Sequence, residues 1–166
     1  MRAALALLAT SVLALALACG GGGDSGGNDD NGGNGDGSLA TATIALVDGA
    51  GKRTELTVEL ARTAAERGRG LMFREEQAED RGMLFVFGGE TRAGFWMKDT
   101  KIPLSIAFIA SDGLILETQD MEALSEELHR PALAYYYALE VNQGWFERHG
   151  LGAGDRVEIP ADAKAE

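Results

Sequence analysis

Apolar and polar side chains begin to alternate at Thr41. Thr41-Ala42-Thr43-Ile44-Ala45-Leu46-Val47 leads into a turn at Asp48-Gly49-Ala50-Gly51, and Thr54 to Leu60 follows with Leu56, Val58 and Leu60 set against Glu55, Thr57 and Glu59. A period of two on both sides of a glycine turn predicts a half-buried hairpin. Thr63-Ala64-Ala65-Glu66 has the spacing of a capping box, in which Thr63 accepts from the Glu66 amide and the Glu66 side chain reaches back. Gly68 and Gly70 keep the predicted helix short. Two continuous apolar runs, Gly82 to Phe87 and Ala93 to Met97, have the length of buried strands. Pro103 to Ala110 and Leu114 to Met121 flank the Asp112-Gly113 turn and predict a second hairpin. Tyr135 to Val141 reads as a strand, Trp145 to His149 as one or two helical turns closed by Gly150, and Arg156 to Ile159 as a last strand. So many short strands separated by turns predict a mainly β domain, a small sandwich or partly open barrel with one or two short helices.

Composition changes this picture at the N-terminus. Ten of the 23 glycines fall between Gly20 and Gly37, with four Asp, three Asn and one Ser and no side chain to bury. Such a segment lacks the means to form a core and reads as a tether. Its irregular Asp and Asn spacing lacks the alternating order of a calcium loop. As a Gly-rich coil of 18 residues its r.m.s. span is roughly 25 Å. Ahead of it, Met1 to Ala18 carries Arg2 and then an almost unbroken apolar stretch ending Ala16-Leu17-Ala18-Cys19. The stretch is short for a membrane span and reads as an export signal. The junction resembles a bacterial lipoprotein signal, cut before Cys19 so that the thiol carries a lipid, although Ala16 stands where that signal usually has leucine. An ordinary secretory signal with its site at Ala16-Leu17-Ala18 is the alternative. The expected organisation is therefore a signal over 1–18, a lipidated Cys19 and tether over 19–38, and one domain over 39–166, located in the bacterial cell envelope outside the cytoplasm and held to a membrane by the anchor.

Charge and cysteine content exclude several functions. The chain of 166 residues has a net charge of −11, and from Leu39 onward 14 basic side chains face 22 acidic ones. An acidic domain repels phosphate backbones, so nucleic acid is not an expected partner. One cysteine leaves no internal disulfide and no CxxC redox or zinc cluster.

Four segments together carry a resemblance. Gly70-Leu71-Met72-Phe73-Arg74, Gly82-Met83-Leu84-Phe85-Val86-Phe87, Phe95-Trp96-Met97-Lys98-Asp99-Thr100 with Ile102-Pro103-Leu104, and Leu139-Glu140-Val141 leading to Gly144-Trp145 resemble, in order and spacing, the family known as domain of unknown function 192. The resemblance spans residues 41 to 160. It implies a mostly β fold of jelly-roll-like sandwich type, often behind an export or lipoprotein signal, and implies no activity. This chain has Asp99 where the family usually has asparagine and Ser105 where it usually has aspartate.

Candidate chemistry centres on the Phe95 to Thr100 segment. Trp96 and Met97 can floor a pocket while Lys98 and Asp99 hold a polar ligand, since small-molecule sites combine apolar walls with few polar groups. The competing reading puts alternate side chains in the core and makes Lys98-Asp99-Thr100 a solvated turn. Arg74 and Glu140 form a second candidate set, each charge embedded among apolar neighbours where it needs a partner or an edge. No cofactor is expected, because dinucleotide, P-loop and GxSxG patterns are absent. No metal is expected either: Met72, Met83, Met97 and Met121 are scattered, which suits packing better than copper(I). The leading expectation is a lipid-anchored binding or accessory module for an unknown small molecule, glycan or envelope protein. An envelope hydrolase using carboxylates, and a structural protein-interaction domain, are the alternatives.

Overall fold

The computed structural model describes residues 38–166. The expected export signal, Cys19 and the glycine-rich segment through Gly37 lie outside the described residues. Seven strands, β1 (Thr41–Val47), β2 (Arg53–Ala61), β3 (Arg81–Thr91), β4 (Leu104–Ile109), β5 (Ile115–Met121), β6 (Tyr135–Asn142) and β7 (Arg156–Glu158), form one sheet in the order β5-β4-β6-β3-β2-β1-β7. Helix α1 (Ala64–Arg69) and helix α2 (Trp145–His149) are both short. The sheet is curled into a half-barrel, the partly open form of the expected mainly β fold.

Both sheet faces are covered, which explains the unbroken apolar runs in the central strands. One face packs Leu56, Val58, Leu84, Leu139 and Val141 under Trp145 and Phe146 of α2. The other carries Met83, Phe85, Ile106, Phe108 and Ala138 beneath Leu71, Met97 and Ile102. β4 lies between β5 and β6 and is buried at all its positions. β2, by contrast, keeps the alternation that its sequence shows.

Two connections were not expected. β2 and β3 run parallel, the one parallel pair in the sheet, so the chain must cross over between them. That crossover contains α1, whose predicted capping box is present: Glu66 N–H donates to Thr63 Oγ1 at 3.1 Å and Thr63 N–H to Glu66 Oε2 at 2.8 Å. It carries Arg67 to Met72 over the second sheet face. The expected strand over Ala93 to Met97 is the other difference. This segment leaves the sheet and pairs only at Phe95 with His129, an isolated bridge. Its apolar character comes from lying across the second face rather than from being inside the sheet.

The sheet's two outer strands meet at one corner. Ile115 N–H donates to Asp155 O at 2.8 Å, Gly154 N–H to Ile115 O at 2.9 Å, and Val157 N–H to Gly113 O at 2.8 Å. β7 is thereby shared between β1 and the start of β5. Gly113 sits at φ +86°, and a Cβ there would stand 2.2 Å from the Val157 carbonyl oxygen, so the closing corner requires glycine.

Candidate functional site

The second face is not completely filled. Between the crossover and the 93–103 segment lies an open cavity of about 240 Å³. Phe85 and Phe87 of β3 enter it because the period-two alternation of β3 puts Met83, Phe85 and Phe87 on the same side. Phe95 and Trp96 supply the opposite wall, and Thr100 and Glu140 complete the interior. The aromatic rings are linked edge to face: Phe85 meets Phe95 at 5.0 Å, Phe95 meets Phe108 at 6.0 Å, Phe108 meets Tyr135 at 5.0 Å, and Tyr135 meets Phe87 at 5.4 Å. Pairs of this kind add to the energy of burial and restrict ring orientation.

Hydrogen bonds hold the covering segments. Tyr135 donates its hydroxyl to Ala93 O at 2.7 Å, fixing one end of the 93–103 segment. Burial pushes this phenol's pKa up, so the donor stays protonated. Met97 N–H donates to Ser125 O at 2.8 Å, Leu124 N–H to Thr100 O at 2.9 Å, and Phe73 N–H to Asp99 O at 2.8 Å. Phe73, Asp99 and Leu124 all have positive φ, three strained non-glycine positions held by this stitching. Arg67 donates to Val86 O at 2.9 Å and to Arg62 O, and stacks 5.2 Å from the Phe87 ring centre.

Glu140 is the unusual group. Its backbone pairs with Met83 on one side and Ile106 on the other, both members of the second apolar cluster. Its side chain is 4% exposed and faces the cavity. Burial alone pushes its pKa from 4.5 to about 8, with no hydrogen bond or neighbouring charge contributing. It is therefore a largely neutral carboxylic acid at pH 7, with no side-chain hydrogen bond among the described residues. The cavity also touches Arg67 and the exposed Arg69, so cationic groups and the acid share one space.

The sequence-nominated residues separate. Trp96 and Glu140 come together on the cavity. Met97 does not join Trp96; its neighbour in sequence points the other way and Met97 is buried in the core at 1% exposure. Lys98 and Asp99 form an exposed turn, the Lys98 ammonium lying 5.4 Å from the Trp96 ring centre. Arg74 does not meet Glu140. It makes a two-pronged ion pair with Glu59 at 2.7 and 2.6 Å, and the hydrogen bond to Glu59 raises the guanidinium's pKa further. Because both side chains are about a third exposed, Glu59→Gln is expected to lower stability by at most about 1 kcal/mol, less in high salt, as urea unfolding at two ionic strengths will show. Arg67, Phe85 and Phe87 were not nominated from sequence, whereas Phe95 entered as the first residue of the Phe95 to Thr100 segment. The period-two spacing of Phe85 and Phe87 was the available signal.

The family profile of DUF192, an uncharacterized ACR, matches residues 45–159. The chain belongs to the DUF192 family. That span runs from β1 to just past β7 and includes every cavity residue named above. The DUF192 domain is also similar to two solved structures. One, from Sinorhizobium meliloti, carries a provisional transcription-regulator label; it is 40% identical with a TM-score of 0.73, over 75% of this chain and 97% of that one. The other, a protein of unknown function from Novosphingobium aromaticivorans, is 34% identical with a TM-score of 0.70, over 73% of this chain and 86% of that one. No curated protein matches.

In this DUF192 domain the two departures from the family pattern lie in different settings. Asp99 adopts φ +56°, a left-handed conformation that asparagine and aspartate tolerate better than most residues. Ser105 is buried, donates to Asp120 and accepts the Gly144 N–H at 2.8 Å, tying β4 to the start of α2. Among the described residues, no group of three or more His, Cys, Asp or Glu is placed to share a metal ion, and no helix is long and apolar enough to cross a membrane.

Proposed function

We propose that this DUF192 domain is a small-molecule-binding module that works outside the cytoplasm, carried on a tether whose Cys19 bears a lipid. The observation that carries the reading is the Glu140 carboxyl, buried at the inner end of an aromatic cavity and without a protein partner. A polar group in that position costs stability, and such a cost is characteristic of sites completed by a ligand. A cavity of about 240 Å³ falls below the roughly 300 Å³ where drug-sized ligand sites begin, so the occupant is a small molecule or a single protruding group. The stitched loops and linked rings present it preformed, which lowers the ordering cost of binding.

Glu140 is the one carboxyl lining the cavity among the described residues. Glycoside hydrolysis generally uses a pair of carboxylates about 5 to 10 Å apart, so a single acid supports binding over that chemistry. The export signal and the Gly/Asp/Asn segment support the location and the tether.

Native mass spectrometry on residues 39–166, which contain every described strand and both apolar clusters, tests the reading. The expected result is an added mass, either retained through purification or acquired from a small-molecule extract of the cell, that Trp96→Ala weakens. A bare domain under both conditions would overturn it.

A further inference from the structure

The cavity carries different ionisable groups at its two ends. Glu140, 4% exposed, marks the inner end, whereas Arg69 is exposed and so marks the mouth. Arg67 is already engaged with backbone carbonyls and the Phe87 face, but Arg69 has no ion-pair partner among the described residues. Phe85, Phe95 and Trp96 line the same cavity, and aromatic rings attract cations.

Resting on the binding function proposed above, we propose that the cavity takes a small amino-carboxylate: its primary ammonium on Glu140 among the aromatic rings, and its carboxylate at the mouth on Arg69. The ammonium has three N–H donors for a carboxylate that receives none from the protein. An ion pair in a partly enclosed, aromatic-walled space is stronger than one on the open surface. The carboxylate end adds selectivity, since a plain alkylamine leaves Arg69 unanswered and a plain fatty acid leaves Glu140 unanswered.

Proton balance gives the proposal its own signature. The groups facing Glu140 from the packed elements are Met83 on β3, Ile106 on β4, and Leu71, Phe95 and Thr100 on the covering segments, none of which titrates near neutrality; Arg67 and Arg69 are the other charges on the cavity. When an ammonium arrives, the neutral Glu140 gives up its proton to the buffer and the ligand keeps its own. Binding at pH 7 therefore releases about one proton per ligand.

The experiment is isothermal titration calorimetry of residues 37–166, the compact unit that holds the whole described fold, with ε-aminohexanoate, hexylamine and hexanoate in two buffers of different ionisation enthalpy. We expect ε-aminohexanoate to bind at least about tenfold more tightly than either single-charge analogue, with about one proton released. Glu140→Gln abolishes both the preference for the amine and the proton release. Arg69→Ala, an exposed change that leaves the fold intact, brings ε-aminohexanoate down to the level of hexylamine. If hexanoate binds as tightly, with no proton released and no effect of Glu140→Gln, the ligand class is wrong while the binding function stands. If none of the three binds and the domain is bare in native mass spectrometry, both fall.

Discussion

Glu140→Gln is expected to make the domain more stable by about 3 to 5 kcal/mol at pH 8.5 and to change it little at pH 5. The folded chain keeps a proton on Glu140 up to about pH 8, whereas the unfolded chain releases it near 4.5. The contribution of the neutral acid is thus fully present below the lower value and is lost as pH rises toward and through the higher one. At about 1.4 kcal/mol per unit the upper bound is near 5 kcal/mol, and water entering the open cavity reduces it. Glutamine is never charged, so the variant escapes the loss. Urea unfolding of both proteins at pH 5, 7 and 8.5 isolates this group, because titrations elsewhere cancel in the difference. Parallel stability curves for the two proteins would show that Glu140 is solvated and that its burial has been misjudged.

Gly113→Ala is expected to have the opposite outcome, a loss of about 3 kcal/mol or more. Two independent faults combine there. The added Cβ would lie 2.2 Å from the Val157 carbonyl oxygen, a backbone atom with no easy way to move, and φ +86° is unfavourable to any L side chain. Gly89→Ala is the control: that glycine has open space around its Cβ position and no positive φ, so the change should be within about 0.5 kcal/mol of neutral. Hydrogen exchange gives a local readout, with Ile115 and Val157 amides losing protection first as the corner opens. A Gly113→Ala protein as stable as its parent, with those amides still protected, would mean that the closing contact is not needed.

Much of the fold was legible because its information is local. Alternation at Leu56, Val58 and Leu60, the Thr63 to Glu66 spacing and the Asp112-Gly113 turn each act over a few residues, and each element formed where expected. Pairing between distant elements was not legible in the same way. Nothing in β2 or β3 shows that they run parallel, and an apolar pentapeptide such as Ala93 to Met97 has the same pattern inside a sheet or lying across one. The site divides along the same line. Glu140, set between Ala138-Leu139 and Val141, was visible as an acid in an apolar strand, and Trp96 as an aromatic beside a polar turn. The separation of Trp96 from Met97 depends on which way the covering segment faces. The Glu59 partner of Arg74 depends on the crossover, and the cavity itself is a space left between segments, for which a sequence has no letter.

The corner where β7 joins the start of β5 bears on how the molecule avoids its own kind. An open curled sheet ends in two outer strands, each a row of unused backbone donors and acceptors able to recruit another copy. Here the outer strand β7 brings the two ends together at one corner: it pairs with Ala45 to Val47 of β1 and also reaches Leu114 and Ile115. At that corner β7 acts as a stopper, taking backbone groups that would otherwise be open to strand-by-strand growth.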